Sequence, residues 1–246
     1  MILIDGKKVA ANIRSELKDK ISQLKTEGKN VPGLVAIIVG EDPASQIYVA
    51  SKGKACEEIG MRTKTEKLSA DISEAELLSL IQSYNQNNDF YGILVQLPLP
   101  KHINEDKVIE TISPKKDVDG FHPISVGNLV IGKDTFASCT PAGIQELLIR
   151  CKIETKGKHV VVVGRSNIVG KPIANIMLQK AEGANSIVTI VHSAAKDISY
   201  YTKQADILIA AIGKAEMIKA DIVKDGVAVI DVGINRIDDP TKAKGY

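Results

Sequence analysis

The chain has 246 residues, 44% hydrophobic and 25% charged, with a formal net charge of +2. That is globular material with enough interior for one large or two modest cores. Scattered, nearly balanced charge gives no reason to expect nucleic-acid binding, and no apolar run approaches membrane-spanning length.

In chain order, the apolar run at 34–39 predicts a strand. Asp42-Pro43 then opens a helix, with Asp as N-cap and Pro at the first helical position, and Gly60 closes it. Residues 63–68 suggest another strand, and Ser73 to about Asn85 a helix. A buried strand at 91–95 stops at Leu97-Pro98-Leu99-Pro100. A second series starts near residue 140, with a linking helix at 141–150. Its strands are predicted at 159–163, 187–191, 206–210 and 227–231, with helices between them. Continuous apolar strands separated by helices indicate parallel sheets covered on both faces, an α/β fold. Gly, Pro, Ser and Asn cluster between Gly120 and Thr140, so two domains are expected, 1–139 and 140–246.

The helix opened by Asp42 carries Ser45, Tyr48 and Lys52 at spacings of three and four, on one face. The stripe Ile47, Ser51, Ala55 and Ile59 is expected to pack on the sheet. In an open parallel sheet the ligand crevice lies at the carboxyl ends of the strands, where this helix starts and where Gln96 ends another strand. A partly desolvated Lys near Tyr and Gln would have its pKa drawn from about 10.4 toward roughly 7–8, fit for acid and base work. The alternative is a solvated helix face with a hydrogen-bonded Tyr.

Lys116-Asp117-Val118-Asp119-Gly120 places two carboxylates one residue apart, pointing the same way if the segment is extended. They suit a ligand that offers paired hydrogen-bond donors. A turn with Asp capping is the alternative. No metal is expected, because no His or further acid accompanies the pair. Cys56, Cys139 and Cys151 likewise lack metal-ligand spacing. With an N-terminus too short and too soon acidic for a signal peptide, they read as reduced thiols of a cytoplasmic protein.

The run from Val161 to Pro172 reads as a strand, a tight turn around Gly164-Arg165-Ser166 and a helix start near Gly170. Such a turn presents backbone N–H groups to phosphate, although any strand–helix turn shares part of this pattern. An acid at the end of the next strand would suit the ribose of NAD. Here that strand ends in His192-Ser193. Arg165, Ser166 and Ser193 favour the extra phosphate of NADP. His192 is given no proton-transfer role.

These residues fall in an ordered series: Tyr48-x-x-x-Lys52, Val95-Gln96-Leu97-Pro98-Leu99, Lys116 to Gly120, Cys139-Thr140-Pro141, Gly164 to Pro172, and Asp231-Val232-Gly233-Ile234-Asn235-Arg236. The series resembles the bifunctional methylenetetrahydrofolate dehydrogenase/cyclohydrolase family along nearly the whole chain. The resemblance implies an N-terminal α/β catalytic domain that binds folate and a C-terminal Rossmann-type domain that binds NADP. It implies oxidation of 5,10-methylenetetrahydrofolate to the methenyl form, then hydrolysis to 10-formyltetrahydrofolate, in one-carbon metabolism. Lys52 would be the acid/base residue of hydration, with Tyr48 and Gln96 orienting and tuning it. Asp119 would hold the pterin edge, with Ser45 and Tyr48 also against the substrate. Gly164, Arg165, Ser166, Ser193 and Ile234 would contact the cofactor. No metal is implied, and the partners are tetrahydrofolate derivatives and a second copy, as a homodimer formed through the second domain.

Where many relatives carry Cys and Thr around the His-Ser pair, this chain has Val191 and Ala195. It stops at Tyr246, where relatives continue into another strand, a Pro- and Gly-rich loop and a last helix, so a longer natural chain is expected. The competing expectations are an NAD-dependent dehydrogenase alone, and a truncated, non-catalytic nucleotide- or folate-binding fragment.

Overall fold

Short apolar strands alternating with helices bury a parallel sheet on both faces, and the computed structural model, which describes residues 2–233, has that alternation. Helix α1 (Gly6–Thr26) comes first, capped by the Asp5 carboxylate, which accepts the Lys8 N–H. Ile21 alone among its residues is buried. Val9, Ile13, Leu17, Ile21 and Leu24 recur at helical spacing, so the periodicity was in the chain although the sequence reading does not place this helix.

Strand β1 (Gly33–Val39), helix α2 (Pro43–Ile59), strand β2 (Arg62–Leu68), helix α3 (Glu74–Gln86) and strand β3 (Gly92–Val95) follow. The ends of α2 obey local chemistry. Asp42 accepts the Ser45 N–H at 2.7 Å, Pro43 takes the first turn, and Gly60 stops the helix at φ +82°. A reciprocal capping box between Ser73 and Glu76 starts α3. Two short helices that the sequence reading does not foresee, α4 (Glu105–Thr111) and α5 (Pro123–Val130), complete this part.

The three strands form a parallel sheet in the order β2-β1-β3. Side chains alternate between its faces. Val35, Ile37 and Val39, with Ile93 and Val95, pack against Leu77 and Ile81 of α3 and Val108 of α4. Ala36, Ile38 and Leu94 pack on the other face against Val49 of α2. Strand β2 lies at the edge with Arg62, Lys64, Glu66 and Lys67, charges that discourage pairing with another chain.

The buried stripe of α2 differs from the expected one. Ser45, Val49, Cys56 and Ile59 are buried, whereas Ile47 is 70% exposed and Ser51 is exposed. The spacing of 45, 49, 52, 56 and 59 is itself helical, so Ser45 and Lys52 ride on the sheet-facing stripe and Ile47 lies off it.

The second series is helix α6 (Cys139–Arg150), strand β4 (His159–Val163), helix α7 (Gly170–Leu178), strand β5 (Ile187–Val191), helix α8 (Ser199–Thr202), strand β6 (Ile207–Ala210), a 3₁₀ turn at Ala220–Ile222, and strand β7 (Ala228–Asp231). Its sheet is parallel, in the order β5-β4-β6-β7. Val161, Val163 and Leu208 pack toward α8, and α7 packs across β4 and β5. The chain divides into two compact units, Met1–Cys139 and Thr140–Tyr246. In each, the first strand is flanked by the second and third, the order of doubly wound nucleotide-binding sheets. No helix among the described residues is long and apolar enough to cross a membrane.

Candidate active site

In a sheet ordered β2-β1-β3 the chain leaves β1 in one direction and returns on its other side. The crevice of the first unit therefore lies beyond the carboxyl ends of β1 and β3. Strand β3 is aligned by Ile37 opposite Val95, and the Gln96 N–H continues the ladder by donating to Ile37 O at 2.8 Å. Helix α2 starts just after β1, so its first turns face the same region. Lys52 Nζ donates to Gln96 Oε1 at 3.5 Å. The amide end of Gln96 donates to Leu97 O at 2.7 Å, which leaves the oxygen end for the lysine. Sequence spacing put Lys52 on a helix and Gln96 at a strand end; the sheet brings them together.

Tyr48, one turn before Lys52, is half exposed. Ser45 is 5% exposed, and its N–H is used by Asp42. Ser45 thus lies in the packed base of α2, less open to a ligand than the spacing suggests.

The paired carboxylates separate. The segment is not extended through both: Asp117 bridges to Ile93, and the chain then turns, with the Gly120 N–H donating to Asp117 O at 3.2 Å. Asp117 is 2% exposed and accepts the Phe121 and His122 N–H groups at 3.3 and 2.9 Å. It is the capping residue that the turn alternative requires. Asp119 is half-buried and, with Asp117, lines a small cavity together with Val95, Leu97, Val108 and Phe121. Burial raises its pKa above the ordinary carboxyl range, the Lys52 charge opposes that rise, and Asp117 adds to it. One carboxylate at an apolar wall suits the donor edge of a flat heteroaromatic ring.

Cys139, quoted in the sequence only as part of a motif, belongs to this cluster. Its Sγ donates to Val118 O at 3.5 Å and lies 4.0 Å from Asp119 Oδ1. Atoms crowded around the sulfur, and next the Asp119 carboxylate, raise the thiol's pKa. No sequence signal tied Cys139 to Asp119, because the contact depends on the turn at Gly120. There φ is +67°, and a Cβ would lie 2.7 Å from the Ser138 nitrogen.

In the second unit Val163 stands opposite both Val191 and Ala210, so the strand ends at Gly164, His192 and Ala211 are neighbours. Gly164 has φ +126°, and a Cβ there would strike Ala211 O; one at Gly170 would strike Gly164 O. Only glycine fits either position. Ser166 Oγ accepts the Val169 and Gly170 N–H groups at 3.1 and 3.2 Å, shaping the entry to α7 while its own proton stays available to a ligand. Arg165 and Ser193 are exposed at these adjoining strand ends. His192 Nδ1 accepts the Ala194 N–H at 3.3 Å, closing the turn after β5. Ile234 lies outside the described residues. The glycine cradle, the arginine and the hydroxyls fit a dinucleotide with an extra phosphate. Among the described residues no group of three His, Cys, Asp or Glu side chains could hold a metal ion.

Fold and site define a two-unit α/β enzyme with a doubly wound nucleotide-binding sheet. The chain belongs to the tetrahydrofolate dehydrogenase/cyclohydrolase family: residues 4–119 match the model of its catalytic domain and residues 138–246 that of its NAD(P)-binding domain. It is 60% identical over 247 aligned residues to the bifunctional protein FolD of Chlorobium limicola, covering 100% of this chain and 83% of that protein. Among solved structures it is similar to the bifunctional FolD methylenetetrahydrofolate dehydrogenase/cyclohydrolase of Campylobacter jejuni, with a TM-score of 0.92 and 46% identity over 100% of this chain and 84% of that one. It is also similar to the Trypanosoma brucei dehydrogenase-cyclohydrolase complexed with NADP and inhibitor, with a TM-score of 0.90 and 36% identity over 100% and 83%.

Because its pKa is raised in the fold, Asp119 holds its proton more tightly in the native state than in the unfolded chain. Stability therefore drops as pH rises from the unfolded value through the folded one, and the cost persists at neutral pH. Asp119→Asn should melt at a higher temperature than the parent at pH 7. The gap should close below about pH 4, where both carboxyls are protonated. Thermal unfolding followed by circular dichroism at the two pH values checks this.

Proposed function

We propose that the chain oxidises 5,10-methylenetetrahydrofolate with NADP and hydrolyses the methenyl product to 10-formyltetrahydrofolate, within one-carbon metabolism. The observation that carries this reading is the Lys52 amine held at Gln96, with its charge felt by the Asp119 carboxylate. Family membership and the similarity to bifunctional FolD proteins support it.

In the hydration step, water adds to the methenyl carbon. Lys52 takes a proton from that water as the C–O bond forms. It then returns a proton to the folate nitrogen as the C–N bond breaks, and the remaining hydroxyl proton passes to solvent as the formyl C=O forms, so one group serves as base and then acid. Gln96 Oε1 orients Lys52, and Tyr48 stacks beside the folate. Asp119 accepts the paired donors of the pterin edge. Oxidation needs alignment more than proton transfer. NADP would supply the hydride acceptor. Gly164, Arg165, Ser166, Ser193 and Ile234 are the residues assigned to hold it, with Arg165 on the extra phosphate. The strand end without an acid at His192 argues against NAD.

We assign the folate role to the unit ending at Cys139 and the cofactor role to the unit that follows. A homodimer through the second unit is part of this reading. It is supported by the uncharged edge strand β5, where Ile187 is 63% and Ile190 41% exposed. A cytoplasmic setting goes with it, supported by Cys56, Cys139 and Cys151, all free thiols.

The purified protein should show NADP-dependent oxidation of methylenetetrahydrofolate and accelerated decay of the methenyl form; absence of both overturns the assignment. Lys52→Met should abolish hydration, and unchanged decay of the methenyl absorbance would remove Lys52 from its role. Arg165→Ala should raise KM for NADP about 10- to 100-fold, the value of a charged hydrogen bond of about 1.5–3 kcal/mol, with KM for NAD little altered. Sedimentation should give twice the monomer mass, and a monomer at micromolar concentration would remove the dimer.

A further inference from the structure

The proposed reaction uses Asp119 and leaves Asp117, two residues earlier, without a role. Asp117 is an expensive residue to keep. Asp117 is 2% exposed, and the partners its carboxylate has are backbone N–H groups. A buried carboxylate without a cation costs several kcal/mol unless hydrogen bonds replace its water. Here they come from the N–H groups of Phe121 and His122, where α5 begins.

These bonds close a turn that is fixed from every side. The Ile93 N–H donates to Lys116 O at 2.8 Å, tying the segment to β3. Lys116 Nζ donates to Tyr84 O and Asn87 O at 2.9 and 2.7 Å, tying it to the end of α3. Gly120 presses on residues 136–138. Between these anchors lie Val118 and Asp119, and the Asp117 carboxylate spans them from inside the turn.

We propose that Asp117 is a positioning residue for the substrate, its clamp on the Phe121 and His122 N–H groups setting the turn that holds Asp119 toward Lys52 and Cys139. The inference rests on the folate reading above and gives that motif's second carboxylate a separate task. Asp119 is faced by Lys52 from α2, by Asp117 from its own turn and by Cys139 from the start of α6. Burial and Asp117 raise the Asp119 pKa, and Lys52 lowers it. Loss of the Asp117 charge therefore moves Asp119 toward lower pH, while loss of the clamp loosens its aim.

Asp117→Asn keeps the size, removes the charge and sets an amide against one of the two N–H groups. In the dehydrogenase assay the variant should raise KM for methylenetetrahydrofolate at least tenfold, lower kcat no more than a few-fold, and leave KM for NADP within twofold. The acid limb of kcat/KM should shift to lower pH. A purely structural role predicts instead a loss of kcat in step with the folded fraction, measured by circular dichroism, with folate KM and the pH limb unmoved; that result overturns the proposal. If Asp117→Asn does not fold, Asp117→Glu is read in its place. It retains the charge but displaces the carboxylate, so folate KM should rise with the acid limb unshifted, and an unchanged folate KM overturns the proposal. A parent protein inactive toward methylenetetrahydrofolate would sink the folate reading itself, whatever the variants do.

Discussion

In each unit the strand that comes first in the chain pairs on both sides, β1 with β2 and β3, and β4 with β5 and β6. Parallel pairing forces the connections over the faces of the sheet, and a central first strand sends successive connections in opposite directions. The carboxyl end of that strand is then left uncovered between two diverging loops. Lys52 and Gln96 meet at one such end, and Gly164, Arg165 and Ser193 gather at the other. The chemistry of both units depends on this pairing, because no pair of these residues is local in sequence except around Gly164.

The close approaches that complete the sites are backbone matters. At Gly164 and Gly170 the chain passes carbonyl oxygens that any side chain would strike, which lets the turn after β4 present its N–H groups. Ser166 supports the same turn from within by accepting two of those N–H groups. In the first unit Gly120 does comparable work, and the two acids on either side of Val118 divide the labour. Asp117 is consumed by the backbone, while Asp119 keeps its oxygens for the cluster around Lys52 and Cys139.

Much of the architecture was legible from local signals. Runs such as Val160 to Val163 are buried on both faces and so stay apolar without interruption, which marks them as parallel strands. Asp42, Pro43 and Gly60 mark the ends of α2 because caps act within a few residues. Helix α1 was passed over although Val9, Ile13, Ile21 and Leu24, its more buried residues, repeat at helical spacing. The face of α2 was misread because Ile47 looks like core and is exposed, while Lys52 lies along the buried stripe. A polar residue at a helix position facing a crevice breaks the pattern by which faces are assigned.

Residue chemistry was thus written in the chain: which groups can take a proton, grip a phosphate, cap a helix or allow a left-handed turn. These properties belong to a residue and its immediate neighbours. The partners were not written there. That Gln96 faces Lys52, that Cys139 lies on Asp119, and that one aspartate of the pair is spent on Phe121 and His122 follow from strand order and from a turn pinned to β3 and α3. Such contacts join segments dozens of residues apart, and only closure of the sheet and its loops selects them from the many that local pattern would allow.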